Sequence, residues 1–524
     1  MRGGIPERSA AALARWPIAP LDAASVTALV AAKLLLHLAT ANRYGYFRDE
    51  LYFLDLGRHL DWGYVDCAPL IAVYARAALL LGGWLPVLRS IAALAGAARV
   101  ALTMLLAREL GAGRFGQTLA GLCVLSAPIY LGVDSILTMN GFESLYWMGC
   151  VFLLIRIVRT GDSRLWIGFG VLAGLGVENK HSTLLFGAAV ALGLLLTSQR
   201  RELERPWIWI GASIAALLFL PNVLWQVRHG FPTLEDLENV KRMGKNVVLS
   251  PGEFLGQQIL LLHPLLFPFW FAGLVSFLAG RNSRLRLLGW TYLALIAIMI
   301  ALEAKNYYPT PIYPMLFASG AVATEGWLER RRFSRGRIWP KTALAAWVLI
   351  AGVLVAPAVL PILPPERLLA YEAWLGAAPP KTEVHHRGPL EQRLGDQFGW
   401  PELVEDVARI YSSLPPDRRA RTGIFASNYG EAGAIDLFGP ALGLPRAICA
   451  HQNYYLWGPP AEEFDDLIWL QWSRESIEEH CRSVEQVGEH SHPWGMAEEN
   501  RPIYLCHGLR TPLARQWASL KHWN

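Results

Sequence analysis

The chain has 524 residues, 53% of them hydrophobic and only 17% charged, with a mean hydropathy of +0.27. Soluble proteins carry about 25% charged residues, so these values exclude a large water-soluble enzyme and indicate an integral membrane protein. The net charge of +5 is modest and gathers in short loops, which argues for a role in membrane orientation and against nucleic acid as a partner.

The N-terminal stretch is basic but has no small-residue cleavage site after its apolar run, so it reads as an uncleaved first helix. That run, residues 21–41, is long enough at ~1.5 Å per residue to cross ~30 Å of hydrocarbon. Next comes YGYFRDELYFLDLGRHLDWGYVDCAPL, rich in aromatics and carrying Asp49 and Glu50. Residues 50–60 and 68–82 are too short to cross and are predicted as interfacial helices lying on the membrane. Ten further spans are predicted at 89–107, 115–133, 142–157, 165–177, 182–197, 206–225, 254–279, 287–302, 309–327 and 339–360. The expected fold is thus an α-helical polytopic bundle of about 11 spans plus two interfacial helices.

Orientation follows from arginine placement. With the N-terminus cytoplasmic, the inner loops hold Arg108, Arg114, Arg156, Arg159, Arg164, Arg200, Arg201 and Arg205. Arg281, Arg284, Arg286, Arg330, Arg331, Arg332, Arg335 and Arg337 complete the bias. The chain divides into a transmembrane part, 1–362, and an extracytoplasmic tail, 363–524, behind a Pro-rich linker. The tail alternates apolar runs (GIFASN, AICAH, LIWLQW, PIYLCHG) with helical stretches, which predicts a soluble α/β domain. Of its segments, NYGEAGAIDLFG and HQNYYLWGPP could bind polar partners or be ordinary turns of a domain core. Six cysteines are few; a Cys481–Cys506 bridge is one option, though spacing alone does not fix connectivity. No spacing suggests a metal site, and no cofactor is implied.

Under this topology the outer face collects Asp49, Glu50, Asp61, Asp66, Asp134, Asn140, Glu143, Lys180, His181 and Lys305. Asp49 or Glu50 could serve as a general base. Equally, they could be first-turn acids of a capped helix. Arg89 falls near the outer end of its span, where it could meet a lipid phosphate. Arg99 lies ten residues deeper, ~15 Å, and is expected to pair with a carboxylate in the bundle. Glu178-Asn179-Lys180-His181 suits an anionic leaving group or a simple interfacial turn. In LEAKNYYPTPIYPML, Lys305, Tyr307 and Tyr308 accompany three prolines that would open backbone groups toward a cavity. The loop after the 206–225 span, with Arg228, His229, Lys241, Arg242 and Lys245, is longer than usual and is therefore functional or mobile.

Taken in order, these motifs resemble the GT-C glycosyltransferases that use polyprenol-phosphate sugars: protein O-mannosyltransferases, the lipid A aminoarabinose transferase and bacterial Rgt-type relatives. The resemblance covers residues 20–360 and rests on FRDELYF with Asp49-Glu50, GYVDCAPL, LRSIAALAG with Arg89, GLGVENKHSTLL and KNYYPTPIYPML. It implies transfer, with inversion, of a sugar from a polyprenyl-phosphate donor to an acceptor outside the cytoplasm: a lipid, a glycan or a protein. The location implied is a bacterial inner membrane, with membrane lipids as partners. Asp49, beside Glu50, becomes the expected base, and Arg89, Asn140, Glu143, Lys180, His181, Lys305 and Tyr308 the expected substrate-binding groups. Two positions depart from the family. Asn140 stands where a further acid is common, and Cys67 where the aminoarabinose transferase has a lysine, so donor or acceptor differs. A lipid-linked-sugar flippase is a competing reading, which predicts broken helices and pseudo-symmetry that the sequence does not display. A non-catalytic sugar-binding or envelope-assembly protein is another.

Overall fold

A computed structural model describes residues 18–280, 282–330, 338–376, 383–384, 386–471 and 473–524. The stretch before residue 18 and Arg281, Arg331, Arg332, Arg335 and Arg337 lie outside the described residues. In chain order the first helices are α1 (Ala23–Thr40), α2 (Arg48–Arg58), α3 (Leu70–Leu80), α4 (Leu85–Glu109), α5 (Arg114–Ser126), α6 (Pro128–Val133), α7 (Met139–Thr160) and α8 (Trp166–Asn179). They continue as α9 (Thr183–Leu195), α10 (Pro206–Arg228), α11 (Pro232–Arg242), α12 (Pro251–Leu261), α13 (Phe267–Ala279), α14 (Arg286–Ala301), α15 (Tyr313–Arg330) and α16 (Trp339–Val359).

Every expected span is helical, but by length and composition the described residues hold six membrane-crossing helices, or up to eight if each bent pair is one span. The difference from eleven has local causes. Pro128 keeps Ala127 extended and divides α5 from α6. His263, at φ 78°, and Pro264 divide the predicted 254–279 span into α12 and α13, bent by 86°. Broken helices, which hydropathy did not display, are thus present. Glycines bring helices together at two seams. Gly170 of α8 lies against the backbone of Gly211 in α10, and Gly273 of α13 against that of Leu316 in α15, with no room for a Cβ.

The first of the two short helices also differs from expectation. In α2 every residue from Glu50 to Gly57 is buried, because the helix is sandwiched between α3 and the tail helix Tyr429–Phe438. Side chains of α2, α3 and the tail form one apolar cluster that includes Leu51, Leu54, Ile71, Trp400 and Ile435. α2 is therefore a core element rather than a surface one.

The tail contains strands β1 (Thr422–Ala426), β2 (Ala447–Cys449), β3 (Asp466–Leu470), β4 (Cys481–His490) and β5 (Arg501–Leu509) in the order β2-β1-β3-β5-β4. β1 is parallel to β2 and β3, while β5 is antiparallel to β3 and β4. Four of these strands are the apolar runs anticipated. The fifth, β4, alternates CRSVEQVGEH and was missed because its outer positions are polar. A disulfide joins Cys481 to Cys506.

Candidate active site

The carboxylate pair opens α2, and the helix sends its two members in different directions. Glu50 accepts the Phe47 amide at 2.9 Å and, through its other oxygen, the Leu137 amide at 2.8 Å. Arg89 Nη2 donates to it from 3.3 Å. Glu50 is wholly buried, so for this residue the capping alternative describes the geometry. Asp49 keeps a side chain that is 31% exposed. Its Oδ1 accepts the Tyr429 hydroxyl at 2.8 Å, and Arg48 Nε lies 3.6 Å away.

Arg89 is enclosed by protein. Its guanidinium donates to the carbonyls of Ala41, Arg43 and Gly45, to Glu50 and to Gln397, and the residue is 2% exposed. It clasps the first loop to the tail. Arg99 behaves as expected: it pairs with Asp134 at 2.9 Å, and Lys33 meets the same carboxylate at 2.8 Å inside the bundle. Asp134 is thereby removed from the outer face.

A second wall is built where the chain leaves α8. Lys180 is extended, so the helix stops there and the ammonium is delivered sideways. Lys180 Nζ donates to Asn140 Oδ1 at 2.7 Å, lies 3.3 Å from Glu143, and sits 4.1 Å from the Tyr308 ring centre and 5.6 Å from that of Tyr307. Glu143 also accepts the Ser182 hydroxyl. His181 turns away, edge-on to Phe219 at 5.9 Å, and does not join this group. Lys305 Nζ lies 3.3 Å from Glu383, whose other oxygen accepts Gln392 Nε2 at 2.9 Å. Burial opposes ionisation of Glu383, but the charges of Arg48, Lys305 and Lys245 outweigh it and hold the carboxyl down at about 2.

Tyr307 connects the two walls. Burial, then the fields of Tyr308, Glu383, Asp49 and Glu143, push its phenol well above the usual range, leaving a neutral donor amid the charges. Asp66 lies within the field of Asp49. It accepts the Tyr52 hydroxyl at 3.1 Å. The residue opens onto solvent space yet is surrounded by protein, and burial followed by the charges of Asp236 and Asp49 raises it to about 7. Asn140, Glu143, Lys180 and Tyr308 thus form one contact group, and Lys305 pairs with Glu383; the charges of Asp49, Glu143 and Glu383 are all felt at Tyr307, while Glu50 and Arg89 are bound to each other and to the first loop. Among the described residues no group of three His, Cys, Asp or Glu is placed to hold a metal.

Sequence reasoning missed Arg48, Tyr307, Glu383 and Tyr429 as site residues, and left Asp66 as one acid among many. Two tail segments marked for polar binding turn out to grip the protein's own loops. Tyr429 reaches Asp49, Gln452 Nε2 donates to Asp236 at 2.9 Å, and Asn453 accepts the Val65 amide at 2.9 Å.

The helical bundle with a mixed-sheet tail packed against its second helix has counterparts among solved structures. The structure aligns with that of ArnT from Cupriavidus metallidurans bound to undecaprenyl phosphate, over 92% of this chain and 98% of that one, at a TM-score of 0.59 and 16% identity. The apo form of the same protein gives 0.56 and 15%, over 95% and 98% of the two chains. Residues 66–225 match the family model for dolichyl-phosphate-mannose-protein mannosyltransferase. The chain is also 27% identical over 276 residues to the lipid A galacturonosyltransferase RgtD of Rhizobium johnstonii. That match takes in 49% of this chain and 55% of the relative, about half the relative's length. The fold is thus shared with ArnT, and part of the sequence is similar to a galacturonosyltransferase and to the mannosyltransferase family model.

Proposed function

We propose that the protein transfers a sugar from a polyprenyl-phosphate donor to an acceptor outside the cytoplasm, with Asp49 as base. The observation that supports this reading is a partly open Asp49 carboxylate whose charge is felt at Tyr307, the ring beside the Lys180 ammonium, together with that of Glu383, the partner of the Lys305 ammonium. The acceptor O–H gives its proton to Asp49 while its oxygen bonds to the anomeric carbon. The bond from that carbon to the phosphate oxygen breaks, and the electron pair leaves with the polyprenyl phosphate. Lys180 and Lys305 balance the charge that develops there. One displacement inverts the anomeric centre.

ArnT's complex with undecaprenyl phosphate supports the donor class, and the lipid A-directed relative makes a lipid-borne hydroxyl the first acceptor to test. The arginine bias of the short loops supports a cytoplasmic N-terminus. The Cys481–Cys506 bridge supports placing residues 363–524 in an oxidising compartment as the extracytoplasmic domain, with 1–362 as the membrane part. The test uses purified protein in nanodiscs with a panel of polyprenyl-phosphate sugars and lipid A. Release of polyprenyl phosphate together with a sugar-sized mass gain on the acceptor is expected; no release from any donor would overturn the proposal.

A further inference from the structure

Helix α11 is built inside out for a water-facing helix. Its outward face presents Leu234 and Leu237, 62% and 58% exposed, beside the exposed Glu238, Lys241 and Arg242 toward its C-terminal end, while its carboxylate Asp236 is only 7% exposed and points inward to Gln452. A helix against water shows the reverse pattern. The exposed leucines also continue an existing stripe. Along α10 the residues Leu217, Leu220, Leu224 and Val227 are exposed at helical spacing, as on a lipid-facing span. Gly230, at φ 75°, and Phe231, at φ 59°, turn the chain. Past this turn the exposed apolar residues are Phe231, Leu234 and Leu237. Trp62, on the loop next to α11, is exposed as well, and Arg228, Lys241 and Arg242 lie at the two ends of the turn and helix, a pattern suited to anionic headgroups.

The inward face of α11 meets the active-site loops. Thr233 Oγ1 donates to the Tyr64 carbonyl at 3.3 Å, two residues before Asp66, and Asp236 contributes to the electrostatic field at Asp66. One helix thus carries exposed leucines on one side and packs its other side against the loop that holds Asp66. We propose that α11 lies in the outer leaflet, with Leu234 and Leu237 among acyl chains, and forms the wall past which a lipid-borne substrate enters the site. The entry role rests on the sugar-transfer reading; the membrane placement does not.

Spin labels at Leu234→Cys and Leu237→Cys in nanodiscs containing anionic phospholipid test the placement. The native cysteines are buried or bridged, which keeps the labelling selective. Oxygen collisions should exceed those with a water-soluble nickel chelate at both positions, whereas a label at Arg409→Cys, on the tail surface, should show the opposite. Water-like accessibility at both leucine positions would overturn the placement. For the entry role, the double variant Leu234→Asp/Leu237→Asp should raise KM for a long-chain polyprenyl donor several-fold. Its kcat should be unchanged, as should KM for a short-chain, water-soluble donor. Equal KM values for the long-chain donor would refute the entry role. Failure of the sugar-transfer reading would look different: the wild type would be inactive with every donor while the labels still reported lipid.

Discussion

Replacing Arg89 by lysine should damage stability rather than donor binding. The guanidinium makes five hydrogen bonds, three to loop carbonyls and one each to Glu50 and Gln397. An ammonium has three donors and no planar fork, so at least two of these bonds are lost. Hydrogen bonds involving a charged group contribute about 1.5–3 kcal/mol each, which sets the loss at roughly 3–5 kcal/mol after partial relaxation. Arg89→Ala should do at least as badly, because Glu50 would remain buried beside no counter-charge, a change costing about 3–5 kcal/mol. The assay is thermal unfolding of detergent-purified protein, followed by donor KM on the fraction that survives. A variant that melts early yet keeps the wild-type KM fits this assignment. A variant with wild-type melting and a raised KM would refute it and return Arg89 to the donor site.

Lys180→Ala should lower turnover by about 10–1000-fold if the lysine stabilises the leaving phosphate; His181→Ala, whose ring faces Phe219, should change it little. Steady-state kinetics on the two neighbours separate these outcomes. Asp66 supplies a pH signature, since an acid raised to about 7 keeps its proton in the fold after the unfolded chain has lost it. Its contribution therefore turns unfavourable as pH climbs from the unfolded carboxyl range through about 7, and Asp66→Asn should raise the melting temperature at about pH 8 but not near pH 4. Reducing the Cys481–Cys506 bridge should cost about 2–4 kcal/mol, seen as a lower melting temperature in the wild type and no further drop in Cys481→Ala/Cys506→Ala.

Hydropathy located the apolar helices well, because in lipid a span must satisfy its own backbone and be apolar over its length. It could not see where helices stop inside such runs: the break between α12 and α13 depends on His263 adopting a positive φ. α2 read as interfacial because it is too short to cross and carries Asp49, Asp55 and Arg58 among its apolar residues. The layer that buries it comes from the tail, far along the chain. The same distance explains the site. Asp49, Lys180 and Lys305 stand out as polar residues at span ends and were legible. Their partners were not, since Tyr429 is 380 positions from Asp49 and Gln397 is 308 from Arg89. Glu50 and Asp49 are adjacent and chemically alike. Only the α2 geometry, which spends Glu50 on the Phe47 and Leu137 amides, tells them apart.

The central claim, that Asp49 is the base of a sugar transfer from polyprenyl phosphate, is tested most directly with Asp49→Asn. The variant keeps an oxygen to accept the Tyr429 hydroxyl, so folding should be preserved, and the melting temperature checks this. Turnover of a polyprenyl-phosphate sugar should fall by at least about 100-fold in the folded variant. A folded Asp49→Asn protein that transfers sugar at the wild-type rate would contradict the account.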